Sequence, residues 1–358
     1  MLDRTERFEA IDALRGLAAL LVLAFHLFRS SPMTGELDAV APVGAAAMLD
    51  VSRNGVAVFF VISGFVITWT TRRLGSGLGE AGNYSLRRQL RLDPPYYLVM
   101  LVAVAAALAE RWVPGLDYRT ITPGQVVANL FYVQGFTGQE PILAVAWTLC
   151  YEVQFYLVVV LVAMCSRWTG GARATTAPLM RPSSRLIFAA LAAVSFALPF
   201  TGLSAGPWFI GSWWMFFAGM CVAWFFARDL SWVVTVSGLG ALALWCLAVD
   251  LFATQGDPFH GQWAAWATAL VIAVLIRSGK AHWRPPRPLM FFGAISYSLY
   301  LVHLPVLDTL VAALYKVLPH TWPTAVALYV IGAALCIGLA VVLNRLVERP
   351  AMWWSAHF

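Results

Sequence analysis

The chain has 358 residues, of which 60% are hydrophobic and only 12% are charged, and its net charge is +6. Soluble domains carry about 25% charged residues, so this composition excludes an ordinary soluble protein and predicts an integral membrane protein. The positive charge is small and lies mostly in alternate loops, which indicates membrane topology and argues against nucleic-acid binding.

Ten membrane-spanning helices are predicted, from apolar runs of about the 20 residues that a bilayer requires. They cover residues 11–28, 53–71, 94–110, 143–165, 186–200, 208–227, 232–251, 262–277, 289–307 and 324–346. Residues 126–133 are apolar but too short to span, and they could form a re-entrant or an interfacial segment. No stretch resembles a separate soluble domain, so a single transmembrane domain over residues 1–358 is expected.

The distribution of Lys and Arg among the loops predicts the orientation. One set of alternate loops, together with both termini, holds 18 of the 24 basic residues, and the other set holds five. Cytoplasmic loops carry the excess of Lys and Arg. Both termini are therefore predicted to be cytoplasmic, which agrees with an even number of spans.

The first predicted span contains two ionisable side chains, Arg15 and His26. Eleven residues apart on a helix, they lie within about 20° of one face and about 16 Å apart along the axis. Ionisable groups at membrane depth are costly and usually line an internal, functional cavity. With Arg15 near the cytoplasmic end and His26 near the outer end, we expect the helices to enclose a polar tunnel.

Two further titratable residues are expected at the depth of His26, namely Glu152 in the fourth span and His303 in the ninth. A neutral imidazole can take a proton from a hydroxyl, and a nearby carboxylate can orient the ring and stabilise the imidazolium. His26 is therefore the candidate general base and Glu152 its partner. The alternative is a structural histidine whose ring is satisfied by a backbone carbonyl or a serine.

Arginines form a second candidate site at the opposite, cytoplasmic end. Arg88 and Arg91 are three residues apart, so on a helix they share a face and could clamp phosphate groups. Juxtamembrane arginines also commonly serve only to set topology. Arg15 lies deeper, where it could meet a phosphate or a carbonyl of the same ligand, or extend to the headgroups.

Polar residues of the ninth and fourth spans are candidates for binding a hydroxyl-rich substrate. Ser296, Tyr300 and His303 share one helical face, and Trp147 and Thr148 could shape the same cavity. Hydrogen bonding between helices is an equally good interpretation of the tyrosines. The five cysteines fall within or at the ends of apolar segments, so neither a disulfide framework nor a metal site is expected.

Six motifs, in order along the chain, resemble those of the acyltransferase-3 family of membrane O-acyltransferases. They lie at residues 11–26, 55–65, 88–94, 147–156, 296–303 and 347–350. The chain departs from the family pattern at Leu92-Asp93, where many members have Ile-Tyr. The sequence also shows no appended extracytoplasmic hydrolase-like domain, so the stand-alone form is expected.

The resemblance implies transfer of an acyl group, usually acetyl, from cytoplasmic acyl-CoA to a hydroxyl of a sugar or glycan-like acceptor at the outer face of a bacterial inner membrane. CoA phosphates would lie near Arg88 and Arg91, and the pantetheine arm would pass Arg15 on its way to His26. A covalent acyl-histidine intermediate is a competing route. The expected partners are acyl-CoA, a carbohydrate or other hydroxyl acceptor and membrane lipids, with no nucleic acid; a homo-oligomer is left open.

Two other classes of protein compete with this interpretation. A proton-coupled transporter of a small or glycan-related solute would also use intramembrane Arg, His and Glu. It would favour inverted repeats and matching pairs of broken helices, which the sequence does not display. A non-catalytic membrane scaffold would leave the converging titratable groups unexplained.

Overall fold

A computed structural model describes residues 8–72, 77–110, 120–170, 181–253, 261–280 and 283–357, and all regular structure within them is helical. In chain order the α-helices are α1 (Glu9–Arg29), α2 (Thr34–Asp38), α3 (Ala45–Ser52), α4 (Gly55–Thr71), α5 (Leu78–Glu110), α6 (Pro123–Leu130), α7 (Ala146–Gly170), α8 (Pro182–Ala197), α9 (Trp213–Phe226), α10 (Trp232–Phe252), α11 (Gln262–Arg277), α12 (Arg287–Val306), α13 (Ala312–Val317), α14 (Trp322–Leu343) and α15 (Arg349–His357). Short 3-10 helices occupy Leu198–Phe200 and Phe209–Ser212, and π-helical turns occupy Leu307–Val311 and Asn344–Glu348.

Within this part of the chain, nine helices are long and apolar enough to cross a membrane. Each of the ten predicted spans coincides with a helix, and the eighth, α11, is a shorter apolar helix of 16 residues. The predicted class, an all-α polytopic membrane protein, is confirmed. The orientation, the enclosed tunnel and the single-domain organisation stay predictions.

The third span differs from its predicted bounds. The predicted span covers residues 94–110 and so begins at Pro94. Instead α5 is continuous over 33 residues and contains Pro94 and Pro95 in its interior. Proline is tolerated inside membrane helices when neighbouring groups satisfy the backbone that it leaves unpaired. The Arg88 and Arg91 pair therefore lies on a helix, not in a loop.

The chain divides into two compact units, and the described residues of the first lie within Met1–Arg15, Val56–Arg87 and Cys150–Pro286. Here α9 packs against α8 and α11, and α10 packs against α11. Two glycines allow α4 and α9 to touch through their backbones. A Cβ on Gly64 would overlap the carbonyl of Phe216, and a Cβ on Gly219 would overlap the carbonyl of Val61.

The second unit draws on Gly16–Gly55, Arg88–Leu149 and Arg287–Phe358. Its centre is the pair α12 and α14, which pack along their lengths. Beyond the end of α1, buried Phe28, Met33 and Leu37 form a small apolar cluster with residues of α13, α14 and the π-turn before α13. Arg29 ties this region together, because its guanidinium binds Asp38 at 2.8 Å and Asp50 at 2.7 Å.

Candidate active site

A backbone crossing in the second unit sets the position of the candidate catalytic histidine. At Gly16 of α1, an added Cβ would lie 2.5 Å from the backbone nitrogen of Gly293 in α12. Only a residue without a side chain permits so close an approach. His26 and His303 each lie ten residues beyond these glycines, about 15 Å further along their helices. The crossing therefore brings the two histidines to the same level.

The imidazoles of His26 and His303 lie side by side, with ring centroids 4.9 Å apart. His303 is 1% exposed, and His26 is partly exposed. The sequence had placed both histidines at one depth, but its candidate partner for His26 was Glu152. Within the second unit, the neighbour of His26 is His303.

Hydrogen bonds to their own helices determine which ring nitrogens are available. His26 Nδ1 is 2.9 Å from the carbonyl of Val22, and His303 Nδ1 is 2.8 Å from the carbonyl of Tyr300. A carbonyl oxygen only accepts, so Nδ1 carries the proton in each ring and Nε2 of the neutral ring is left with its lone pair. The alternative of a structural histidine, bonded to a backbone carbonyl, is thus met at Nδ1 of His26. Its Nε2 is still able to accept a proton.

His303 Nε2 is buried and has no hydrogen-bond partner. Leaving a buried acceptor unpaired costs about 1–3 kcal/mol, so native structures seldom retain one without a reason. A bound hydroxyl or N–H would remove this cost. The arrangement therefore provides two adjacent acceptors, one of them suited to hold a ligand group while the other takes a proton.

The other polar residues of the ninth span have divided roles. A hydrogen bond of 3.1 Å between the hydroxyls of Thr148 and Tyr300 joins α7 to α12, and the Tyr300 ring lies 5.6 Å from that of His303. Ser296 is buried and donates to the carbonyl of Gly293 in its own helix. Trp147 is 37% exposed. Thr148 and Tyr300 thus lie beside the histidine pair, while Ser296 bonds its own backbone.

The apolar segment at residues 126–133 forms most of the short helix α6, which is fastened to the interior of α5. The hydroxyls of Tyr96 and Tyr97 donate to the carbonyls of Asn129 and Leu130 at 3.1 and 3.0 Å. These are the last carbonyls of α6, which have no partner within their own helix. The attachment to the middle of a long apolar helix favours the re-entrant interpretation.

Asp93, the departure from the family pattern, has its own set of partners. Its carboxylate accepts a hydrogen bond of 2.7 Å from the hydroxyl of Tyr132 and longer ones from the amide of Gln89. One residue earlier, the carbonyl of Leu92 accepts a hydrogen bond of 2.8 Å from the Tyr297 hydroxyl, which joins α12 to α5.

A buried carboxylate near the end of α14 has no predicted role. Glu348 is 5% exposed, and its Oε2 accepts from the Ser298 hydroxyl at 2.6 Å and from the Asn344 amide at 2.9 Å. Asn344 also donates to the carbonyl of Ala294, while its own Oδ1 is buried without a partner. The motif at residues 347–350 includes this glutamate, but the motif alone predicted no role for it.

The remaining candidate residues are placed as follows. Glu152 and Arg15 belong to the first unit, and Arg88 and Arg91 belong to the second. Glu152 accepts a long hydrogen bond, 3.4 Å, from the hydroxyl of Ser63. The three arginines are partly exposed. Their assigned roles, and that of Glu152 as partner of the base, stay predictions.

All five cysteines lie in the part of the chain that is described, and all are free thiols. Over the same residues, no three or more His, Cys, Asp or Glu side chains are grouped so that they could hold a metal ion.

Taken together, the helices define an α-helical integral membrane protein, and its second unit holds two adjacent histidines. The family of acyltransferase domains known as acyltransferase-3 matches residues 8–345. The match covers nearly the whole chain, and the chain belongs to this family. It is a membrane-bound acyltransferase, as the six motifs predicted.

Three relatives are similar to this chain, and two of them are named for acyl transfer. Nodulation protein 10 of Rhizobium leguminosarum bv. viciae is 28% identical over 377 residues, which are 95% of this chain and 92% of the relative. The putative membrane-bound transacylase BcsY of Komagataeibacter xylinus is 27% identical over 82% of this chain and 72% of its own length. Peptidoglycan O-acetyltransferase OatA of Listeria monocytogenes is 28% identical over 44% of this chain and 25% of its own length. No solved structure shows significant similarity to the chain.

Proposed function

We propose that this acyltransferase carries an acyl group, most often acetyl, from cytoplasmic acyl-CoA to a hydroxyl of a glycan at the outer face of a bacterial inner membrane. The observation that carries the proposal is the histidine pair, in which both Nε2 lone pairs are available. A relative named as a peptidoglycan O-acetyltransferase supports an acetyl group and a glycan acceptor.

In the proposed reaction, His26 Nε2 takes the proton of the acceptor hydroxyl as its oxygen attacks the thioester carbonyl carbon. The new carbon–oxygen bond forms, the carbon–sulfur bond breaks, and the departing thiolate takes the proton from the imidazolium. General-base catalysis of this kind contributes about 10²–10⁴-fold to a rate. His303 Nε2 accepts a hydrogen bond from the glycan that is acylated. The binding site of this glycan is proposed to be shaped by Thr148, Tyr300, Ser296 and Trp147.

The hydrogen bond from His26 Nδ1 to Val22 changes what Glu152 is expected to do. In a serine-protease triad the carboxylate accepts a hydrogen bond from Nδ1–H and fixes the tautomer. Here the Val22 carbonyl already does both. We therefore propose that Glu152 supports the transient imidazolium through its charge, so Glu152→Gln should retain more activity than His26→Ala.

The donor half of the proposal rests on three arginines. Arg88 and Arg91 lie three residues apart on α5 and are proposed to bind CoA phosphates, with Arg15 beside the pantetheine arm. Replacing Arg88 and Arg91 with alanine should raise the KM for acyl-CoA and change kcat little. A KM equal to that of the wild type would remove both residues from the donor site.

The test uses purified protein in liposomes, with radiolabelled acetyl-CoA on one side and oligosaccharide fragments of peptidoglycan or exopolysaccharide on the other. The wild type should release CoA thiol only when an acceptor is present, and His26→Ala should lose at least 100-fold of this activity. His320→Ala is the matched control, because His320 lies outside the pair and its ring stacks on Tyr315 at 4.2 Å.

Two results would count against the proposal, and they differ. Full turnover by His26→Ala would remove His26 as the base while leaving the activity. An absence of acceptor-dependent thiol release from the wild type, together with proton-driven solute uptake, would favour the transporter.

A further inference from the structure

An apolar cavity of about 380 Å³ lies within the first unit, between α9 and α10. Along α10 it extends from Val234 to Trp245, eleven residues or about 16 Å. Phe196 and Trp245 line the far end, where their rings meet edge to face at 5.0 Å. The cavity is therefore a narrow slot, longer than it is wide.

The slot has almost no polar lining. Thr235 lines it, but its hydroxyl already donates to the carbonyl of Ser231 at 3.0 Å. A Cβ added at Gly238, another lining residue, would meet no atom within 4 Å. An apolar cavity offers water no hydrogen-bond partners. At the depth of membrane-spanning helices, the available filler is a hydrocarbon chain.

The two ends of the slot differ in charge. At the Leu230 end, Arg228 precedes the lining residues in the loop between α9 and α10. Nearby, Arg185 forms an ion pair with Asp229 at 3.0 Å, and Arg277 lies 5.9 Å from the ring of Trp232. Three arginines against one aspartate leave this end basic.

Among the described residues, the opposite end of the slot carries no such excess of positive charge. Beyond Trp245, Asp250 accepts hydrogen bonds from the side chains of Gln262 and Trp263 at 2.6 and 2.7 Å. An anionic headgroup is attracted to arginines at a membrane surface and repelled by a carboxylate. The charges therefore select both the sign of the headgroup and the direction in which a chain would enter.

We propose that this slot binds one acyl chain of an anionic phospholipid, with the phosphate beside Arg228 and the chain end against Phe196 and Trp245. The orientation predicted from the loops places this phosphate in the cytoplasmic leaflet. The bound chain fills the space between α9 and α10 and gives their facing side chains the contacts that an empty cavity lacks. This site is separate from the histidine pair, and it does not depend on the acceptor or the donor.

The test compares two glycines of one helix. Gly238 lines the slot, whereas Gly240 does not, and a Cβ at either position would meet nothing within 4 Å. Gly238→Leu should fill the slot, and Gly240→Leu is its matched control. Native mass spectrometry of the detergent-solubilised protein, titrated with phosphatidylglycerol or phosphatidylcholine, measures the lipid bound.

The wild type and Gly240→Leu should bind phosphatidylglycerol at least tenfold more tightly than phosphatidylcholine. Gly238→Leu should lose at least tenfold in phosphatidylglycerol affinity, and Arg228→Gln should reduce the preference for the anionic lipid. Equal binding of the two lipids by the wild type would overturn the proposal. Unchanged binding by Gly238→Leu would overturn it as well.

A second measurement needs no variant and so does not depend on the folding of Gly238→Leu. Phosphatidylglycerol with a diazirine halfway along one chain is photolysed with the wild-type protein, and the modified peptides are mapped. Crosslinks should concentrate in residues 217–245. Crosslinks spread evenly over the other membrane helices would refute a defined site.

Discussion

The crossing of α1 and α12 at Gly16 provides the sharpest test of how the histidine pair is built. In Gly16→Ala, the new Cβ would lie 2.5 Å from the nitrogen of Gly293, 2.8 Å from the carbonyl carbon of Phe292 and 2.9 Å from the oxygen of Leu289. All three are backbone atoms, so no side chain can rotate away. Restoring an ordinary contact of 3.4 Å requires the helices to separate by about 0.9 Å.

The consequence for stability is modest because two effects oppose each other. Overpacking of this kind costs about 1–3 kcal/mol. Alanine has a higher helix propensity than glycine by about 1 kcal/mol, which offsets part of that cost. We therefore expect a net loss of up to about 2 kcal/mol, and the protein should still fold.

The consequence for activity is larger. A separation of about 0.9 Å at the crossing, carried along rigid helices, would widen the present 4.9 Å between the rings of His26 and His303 by a similar amount. A misplacement of about 1 Å at reacting groups can cost about 100-fold in rate. Gly16→Ala should therefore reduce kcat/KM for acyl transfer by about 100-fold.

The assay is acceptor-dependent thiol release, measured beside the thermal unfolding midpoint of each variant. Gly338→Ala in α14 is the matched control, because its Cβ would meet nothing within 4 Å. The control should gain about 1 kcal/mol and keep its turnover. Wild-type kcat/KM in Gly16→Ala would refute the idea that this crossing positions the pair. A midpoint that collapses with the activity would instead indicate loss of the fold.

Two further predictions concern hydrogen bonds of the second unit. Ser298→Ala removes the hydroxyl that donates a hydrogen bond of 2.6 Å to the buried Glu348 carboxylate. Hydrogen bonds to charged groups contribute about 1.5–3 kcal/mol, so the thermal unfolding midpoint should fall clearly. An unchanged midpoint would contradict this account. The Tyr315 hydroxyl donates a hydrogen bond to Glu36 and holds the pKa of that carboxyl below its ordinary value. This hydrogen bond stabilises the folded protein at pH values above the ordinary pKa of Glu, and the stabilisation is lost as the pH falls through the lowered pKa. Acidification from neutral pH to below about 4.3 should therefore destabilise the wild type slightly more than Tyr315→Phe, and equal losses would contradict the assignment.

The membrane helices could be predicted because each requires only a local apolar run. The helix of the third span extends beyond its apolar run, because α5 continues through Pro94 and Pro95. A proline in the sequence shows which backbone hydrogen bond is missing, but it does not show which neighbouring groups satisfy the carbonyl left unpaired. The carbonyls concerned are those of Leu90 and Arg91, four residues before Pro94 and Pro95.

The sequence predicted that His26 and His303 share a depth, but it did not predict that their rings are neighbours 4.9 Å apart. Counting along each span placed His26, Glu152 and His303 at similar depths, and depth alone does not choose neighbours. The choice of His303 depends on two glycines, which let α1 and α12 touch where each is ten residues short of its histidine. Neither glycine is notable when its own helix is read alone.

The histidine pair also explains why the chain tolerates an unfavourable feature. A buried Nε2 without a partner at His303 costs about 1–3 kcal/mol, and an apolar ring of similar size would avoid that cost. Proteins usually retain such local conflicts at functional sites, where a ligand supplies the missing partner. Because Nδ1 of each ring is fixed by its own helix, the unpaired nitrogen cannot be relieved by a change of tautomer. A hydroxyl of the glycan that reaches His303 therefore finds a preformed hydrogen-bond acceptor, Nε2, beside the base. Binding of the glycan then gives the buried nitrogen the partner that it lacks.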